Sequence, residues 1–168
     1  MTPILTITGC GKCGKTTMVE KLVAELSRRG YVIGTLKHDV HGFAMDHEGK
    51  DTWRHKQAGA RAVAIIGPGQ VGLVRSTPDG EFSVQDAISL LGPVDLVITE
   101  GFKREPFPKL EIFSSVRNEG QLLCADDPHL LAVAGDLPVE TAAPRFDWND
   151  IRAIADFVEN KLLAHQEG

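Results

Sequence analysis

Apolar and polar positions along the chain switch repeatedly between two periods. Ile4-Leu5-Thr6-Ile7-Thr8 is a short β-branched run that flows straight into glycines, the pattern of a strand. Val19, Leu22, Val23 and Leu26 then recur at i, i+3, i+4 and i+7, the stripe of an amphipathic helix. Arg28 and Arg29 sit in its last turn, and Gly30 is placed to stop it. Residues 31–36 read as a second strand, ending at Lys37-His38. A polar stretch at 38–50 follows, with His38, His41 and His47, long enough to suspect function. Asp51-Thr52 opens a helix to Ala58 that Gly59 closes. Residues 62–66 and 71–75 are two short strands around Gly67-Pro68-Gly69, a hairpin or turn, and Pro78-Asp79-Gly80 marks another turn.

Ser83 caps the next helix, in which Val84, Ala87, Ile88 and Leu91 keep helical spacing. Residues 94–99 are an apolar run suited to a strand buried on both faces. Further strands are expected at Lys109–Phe113, 121–124 and 130–134. Asp147 or Asn149 opens a last helix carrying Ile151, Ile154, Ala155, Val158 and Leu162. Strands alternating with helices predict one α/β domain over 1–168. It is a three-layer fold with a largely parallel central sheet, to which the hairpin could add an antiparallel extension.

Between the first strand and the first helix stands Gly9-Cys10-Gly11-Lys12-Cys13-Gly14-Lys15-Thr16-Thr17. The G-x-x-x-x-G-K-[ST] spacing is that of a P-loop, and each residue type has a task. The glycines, Gly9, Gly11 and Gly14, let the backbone curl so that N–H groups of the loop, those of Lys12, Cys13 and Thr17 included, face phosphate oxygens. Lys15 reaches the β- and γ-phosphates, and the Thr16 hydroxyl is a Mg²⁺ ligand. The N-terminal end of the helix adds its positive pole. A nucleotide site and a P-loop NTPase fold are the expectation.

A second element of such a site is an acid at the carboxyl end of a neighbouring strand. Glu100 follows the 94–99 run and takes that role toward Mg²⁺, with Gly101 allowing close backbone approach. Asp95, at the opposite end of the strand, reads as a solvent-facing acid. Cys10 and Cys13 read as small residues filling the loop, since no second C-x-x-C accompanies them. No two of His38, His41, His47 and His55 show the tight spacing of a zinc pair, so a polar substrate loop is the expectation. Lys103 and Arg104 either neutralise a triphosphate or pterin phosphate or form a solvated surface pair. The [NT]-K-x-D guanine signature is absent. Asp136, at the end of the 130–134 run, is the candidate for guanine N1 and N2, with Asp126 and Asp127 as rivals.

Composition narrows the setting. A net charge of −5 argues against broad phosphate neutralisation on nucleic acid. No apolar run approaches the ~18 residues of a membrane span, and three cysteines suggest no disulfide framework, so a cytoplasmic location is expected.

Several blocks together resemble the MobB family of molybdopterin-guanine dinucleotide biosynthesis proteins. They are the P-loop at 9–17, Lys37-His38 through Gly49-Lys50-Asp51-Thr52 with Arg54 to Ala60, Glu100-Gly101-Phe102-Lys103, and Pro108-Lys109-Leu110-Glu111. A further block, Phe146-Asp147-Trp148-Asn149-Asp150, extends the likeness over nearly the whole chain. Two positions depart from the family's usual writing: Val40-His41-Gly42 stands for a His-His-Asp run, and Cys13 for a serine. The resemblance implies a GTP-binding protein with slow GTPase activity and Mg²⁺, usually a homodimer. It would act beside the guanylyltransferase that joins a guanine nucleotide to molybdopterin. It also implies that Asp46 is an acid near Mg²⁺, so that Lys15, Asp46 and Glu100 form the catalytic set. Two other classes compete: a P-loop kinase or ligase for a small acid or pterin, and a metallochaperone GTPase suggested by the histidines and cysteines.

Overall fold

The computed structural model describes residues 2–39, 42–77, 82–118, 121–136 and 138–164. In chain order these form β1 (Ile4–Gly9), α1 (Lys15–Arg28), β2 (Ile33–Lys37), α2 (Asp51–Gln57), β3 (Ala62–Gly67) and β4 (Gln70–Arg75). Then come α3 (Val84–Ser89), β5 (Leu96–Glu100), β6 (Lys109–Phe113), β7 (Leu130–Gly135), β8 (Arg145–Asp147) and α4 (Ile151–Val158). The chain divides into two compact units, Met1–His38 with Ala87–Gly168, and Asp39–Asp86.

The first unit is built on a six-stranded sheet in the order β2-β5-β1-β6-β7-β8. Every pairing in it is parallel. Parallel pairing gathers all the carboxyl ends at one edge, where an open α/β sheet binds its ligands. Gly9, Lys37, Glu100, Phe113, Gly135 and Asp147 end the six strands there. The register sets Glu100 opposite both Ile7 and Lys37, and Gly9 opposite Ile112.

The two faces of this sheet are held differently. On one, Leu5, Ile7, Leu96, Ile98, Leu110, Ile112, Ala132 and Ala134 form a core with Met18, Leu22 and Leu26 of α1 and Ile154, Ala155 and Val158 of α4. The other face is buried but largely polar. Thr6 and Thr99 share a hydrogen bond of 2.9 Å. Lys109, 1% exposed, donates to the carbonyls of Glu105 and Phe107 and pairs with Asp127 at 3.0 Å. Glu111, 0% exposed, accepts from the backbone N–H groups of Leu123 and Cys124 at 2.7 and 2.9 Å. Buried charges need such partners, and here each fastens a loop over the sheet. The Pro108–Glu111 string is therefore scaffold.

At the far end of α1, Arg29 ties the helices together through Glu25, Asp156 and Glu159. Arg28, then Arg29, hold the Glu25 carboxyl down at about 2.

Two expectations need correction. Residues 121–124 are not a strand, because the N–H groups of Leu123 and Cys124 go to a carboxylate and not to a ladder. Residues 145–147, for which the sequence suggests no strand, form the short edge strand β8. The helix cap is neither Asp147 nor Asn149 but Asp150, whose side chain accepts from Ala153 N–H at 3.2 Å. Past Val158 the helix widens into a π turn, Glu159–Leu163, closed by Ala164 N–H to Glu159 O. That extra residue per turn buries Leu163 as well, while Leu162, which α spacing nominates, packs partly buried against the core.

The second unit holds α2 and the β3–β4 hairpin, whose register pairs Gly67 with Gln70 around a Pro68-Gly69 turn. Ser83 caps α3 as expected, its hydroxyl accepting from Asp86 N–H at 3.1 Å. The turn at Pro78-Asp79-Gly80, and His41 of the polar loop with Val40, lie outside the described residues. Among the described residues no helix is long and apolar enough to cross a membrane.

Candidate functional site

The phosphate loop leaves β1 at the sheet's carboxyl edge and turns into α1 within five residues. Gly9 has φ 142°, and a Cβ there would fall 2.5 Å from the Ile112 carbonyl oxygen and 2.7 Å from Cys13 Sγ, so only glycine fits. Lys12 takes the left-handed φ of 59°, uncommon outside glycine and frequent where a loop is shaped for a ligand. Gly14 is left-handed at 98° and leads into the helix, whose first residue is Lys15. Lys15 Nζ arches back to donate to Gly9 O at 3.1 Å and Cys10 O at 2.6 Å, which keeps its charge over the loop.

Thr16 and Glu100 meet as the motif requires. The threonine hydroxyl lies 3.1 Å from both Glu100 carboxylate oxygens, and Lys37 Nζ is 3.7 Å from one of them. Lys37 and His38 thereby join the site from β2. His38 stacks on Phe102 with ring centroids 4.9 Å apart, and Phe102 itself is left-handed at φ 47°. Gly101, at φ 103°, brings the backbone close beneath His38, whose Cβ would stand 3.1 Å from an added Cβ. The Lys-His and Glu-Gly-Phe blocks thus form one packed corner. Lys103 and Arg104 are exposed just beyond it. Asp95 accepts from Val32 N–H at 2.7 Å, at the sheet's other edge.

The cysteines are free thiols. Cys13 is buried beneath the loop, and that burial pushes its thiol up to about 11 against the pull of Lys15. Cys10 donates to Asn118 Oδ1 at 3.1 Å. Asn118 also accepts from Ser114 N–H and donates to Gln121 O, so the loop after β6 is tied to the phosphate loop.

Asp46 belongs to the second unit. Its Oδ1 accepts from His47 N–H and Thr52 Oγ1 at 2.9 and 3.0 Å. Its Oδ2 is buried and has no hydrogen-bond partner among the described residues. No cluster of three or more His, Cys, Asp or Glu side chains that could hold a metal occurs among the described residues. A carboxylate facing a threonine hydroxyl is nonetheless a hard-oxygen pair of the kind Mg²⁺ takes together with substrate phosphates.

A cavity of about 370 Å³ opens beside the loop, on the side of β1 away from Glu100. Lys12, Gly14, Thr17 and Lys21 border it from the loop and α1, Arg117 from the turn after β6, and Trp148 and Asn149 from the turn after β8. The sequence suggests no shared site for Arg117, which carries no motif spacing, and Trp148, which stands only within the Phe146–Asp150 block; the two meet only through the strand order. Asp136 is placed elsewhere. Its carboxylate accepts from Ser115 N–H and Oγ at 2.8 and 2.9 Å, and it borders a second cavity of about 260 Å³ with Arg145 and Asp147. The rival Asp127 is engaged by Lys109 and His129.

A glycine-curled loop between a parallel strand and a helix, its lysine arched over it and its threonine facing a strand-end acid, defines a P-loop nucleotide-binding fold. Residues 4–136 match the family model for MobB, molybdopterin guanine dinucleotide synthesis protein B. The chain belongs to the MobB family. It is 38% identical over 163 residues to the molybdopterin-guanine dinucleotide biosynthesis adapter protein of Haemophilus influenzae, covering 95% of this chain and 89% of that one. To the protein of the same description from Escherichia coli it is 33% identical, covering 94% and 92%. The crystal structure of Bacillus subtilis MobB superposes with a TM-score of 0.75 at 27% identity, covering 95% of this chain and 98% of that one.

Proposed function

We propose that this chain is a GTP-binding adapter of molybdopterin guanine dinucleotide biosynthesis, with slow Mg²⁺-dependent GTPase activity. In this reading the whole chain serves as one GTP-binding domain in the cytoplasm, beside the guanylyltransferase that attaches the nucleotide to molybdopterin. The observation that carries the nucleotide reading is the Thr16–Glu100 pair at the mouth of a loop already curled for phosphate. Loop N–H groups and Lys15 hold the β- and γ-phosphates, while Thr16 and Glu100 hold the metal. Asp46 is a further candidate acid for the metal on the family likeness alone, not on its position in the second unit. Mg²⁺, when bound, supplies charge neutralisation on the phosphates.

Glu100→Gln keeps the shape of the side chain and removes its charge. GTP hydrolysis should slow strongly, and the Mg²⁺ concentration for half-maximal binding should rise by about tenfold or more, with an unchanged melting temperature without ligand. Normal hydrolysis at normal Mg²⁺ would make the acid structural and leave Asp46, tested as Asp46→Asn, as the leading ligand.

The homodimer is assigned to the hairpin. Ile66, 83% exposed, and Val71, 72% exposed, lie opposite each other on one face with Leu73, and β3 and β4 pair only with each other among the described residues. An isolated two-stranded ribbon is marginal, and a two-fold copy covers face and edge in one contact. Ile66→Lys with Val71→Lys should convert a dimer to a monomer in sedimentation equilibrium. A dimer that survives the double change would move the interface elsewhere.

A further inference from the structure

The phosphate site leaves one end of a nucleotide unaccounted for. In the proposed reading metal and terminal phosphate lie toward Glu100 on β5, and β5 and β6 flank β1 on opposite sides. The nucleoside must extend over β6, where the 370 Å³ cavity opens. That volume falls in the range of small-ligand clefts, about 300–1,000 Å³. Its lining supplies an indole plane from Trp148, which packs against the core, so the ring is backed. Aromatic faces backed in this way hold a base by stacking.

The charged groups of the lining are one-sided: they are Lys12, Lys21 and Arg117, and no Asp or Glu is among its described lining residues. Lysine and arginine donate and cannot accept, while Thr17, Ser114 and Asn149 can do either. The cationic donors distinguish the purines by their Hoogsteen edges. Guanine offers two adjacent acceptors, O6 and N7, and matches a guanidinium fork, whereas adenine sets its N6 amino donors beside N7. The alternative is a carboxylate that accepts from guanine N1–H and the N2 amino group. Asp136 is the sequence candidate for that, but it is turned to Ser115 and borders the other cavity.

We propose that this cavity binds the purine of the nucleotide against Trp148 and that Arg117 selects guanine through O6 and N7, with no carboxylate reading N1 and N2. The proposal rests on the nucleotide reading above and adds the base-selecting residue to it. Arg117 is exposed, on a turn whose geometry is fixed by Ser114 and Asn118, so its truncation leaves the fold intact.

The test separates three ligands that share a diphosphate. Calorimetry on the full chain with Mg²⁺ compares GDP, inosine diphosphate and ADP, with pyrophosphate as a probe lacking any base. Inosine keeps O6 and N7 and lacks the N2 amino group. GDP and inosine diphosphate should bind within about twofold of each other and ADP about tenfold or more weaker. Arg117→Ala should close the gap between GDP and ADP while leaving pyrophosphate affinity unchanged. Inosine diphosphate falling about tenfold below GDP would overturn the proposal in favour of a carboxylate, Asp136 among the candidates. A preference that survives Arg117→Ala, or an equal loss for pyrophosphate, would also overturn it. The nucleotide reading stands in all of these cases. It fails, and takes the proposal with it, only if pyrophosphate and GDP both fail to bind the unaltered protein.

Discussion

Lys15→Ala should lower Mg²⁺-GTP affinity by about a hundredfold or more, since it removes charge-assisted bonds to two phosphates at once. The side chain is half-buried, lies outside the apolar core, and makes its bonds to Gly9 O and Cys10 O at the surface of the loop. The variant should therefore unfold cooperatively within a few degrees of the parent. Titration calorimetry beside a thermal melt checks both halves. Undiminished GTP affinity in a folded variant would remove the phosphate role from this loop altogether. A large fall in melting temperature would instead mean that the lysine's hold on the two carbonyls is a principal support of the loop.

The second large effect is on stability. Glu111→Ala should destabilise the protein by about 3 kcal/mol, because it strands two N–H groups whose individual cost when unsatisfied is about 1–3 kcal/mol. Those groups, on Leu123 and Cys124, have the Glu111 carboxylate as their acceptor. Glu111→Gln keeps one acceptor oxygen and should lose about half as much. Urea unfolding checks it, with the midpoint lowered and the slope unchanged. A loss below ~1 kcal/mol for the alanine variant would show that the 121–124 turn finds other acceptors readily.

These two residues mark where sequence reading works and where it stops. The phosphate loop is a local object: its conformation follows from Gly9 to Thr16 alone, and spacing suffices to place Lys15 and Thr16. Glu100 is nearly as legible, since an acid closing an apolar strand must emerge at that strand's carboxyl edge. The hairpin follows from turn chemistry at Pro68-Gly69. Residues 121–124 look like a strand because Leu122, Leu123 and Cys124 are apolar, and nothing local reveals that a carboxylate a dozen positions earlier claims their N–H groups. β8 is too short for its alternation to register. The burial of Leu163 follows from a π turn, closed by Ala164 N–H to Glu159 O, that no helical periodicity anticipates. Arg117 and Trp148 come together only because β6 and β8 end at one edge of the sheet, a matter of strand order. Asp136 occupies the kind of position where a base-reading acid is expected, and its bonds to Ser115 emerge only from the packing.

Asn118 gives the site a further property. One nearly buried amide holds the Cys10 thiol of the phosphate loop and the main chain at Ser114 and Gln121, one residue from Arg117. In the proposed reading, the loop that takes the phosphates and the turn that carries the base-selecting arginine are fastened to this one side chain. Any coupling it carries is reciprocal: whatever the phosphates do to the grip on the base, the base does in equal measure to the grip on the phosphates. The affinities of guanosine, pyrophosphate and GDP, compared on the same protein, measure that coupling as the departure of the whole from the sum of its parts.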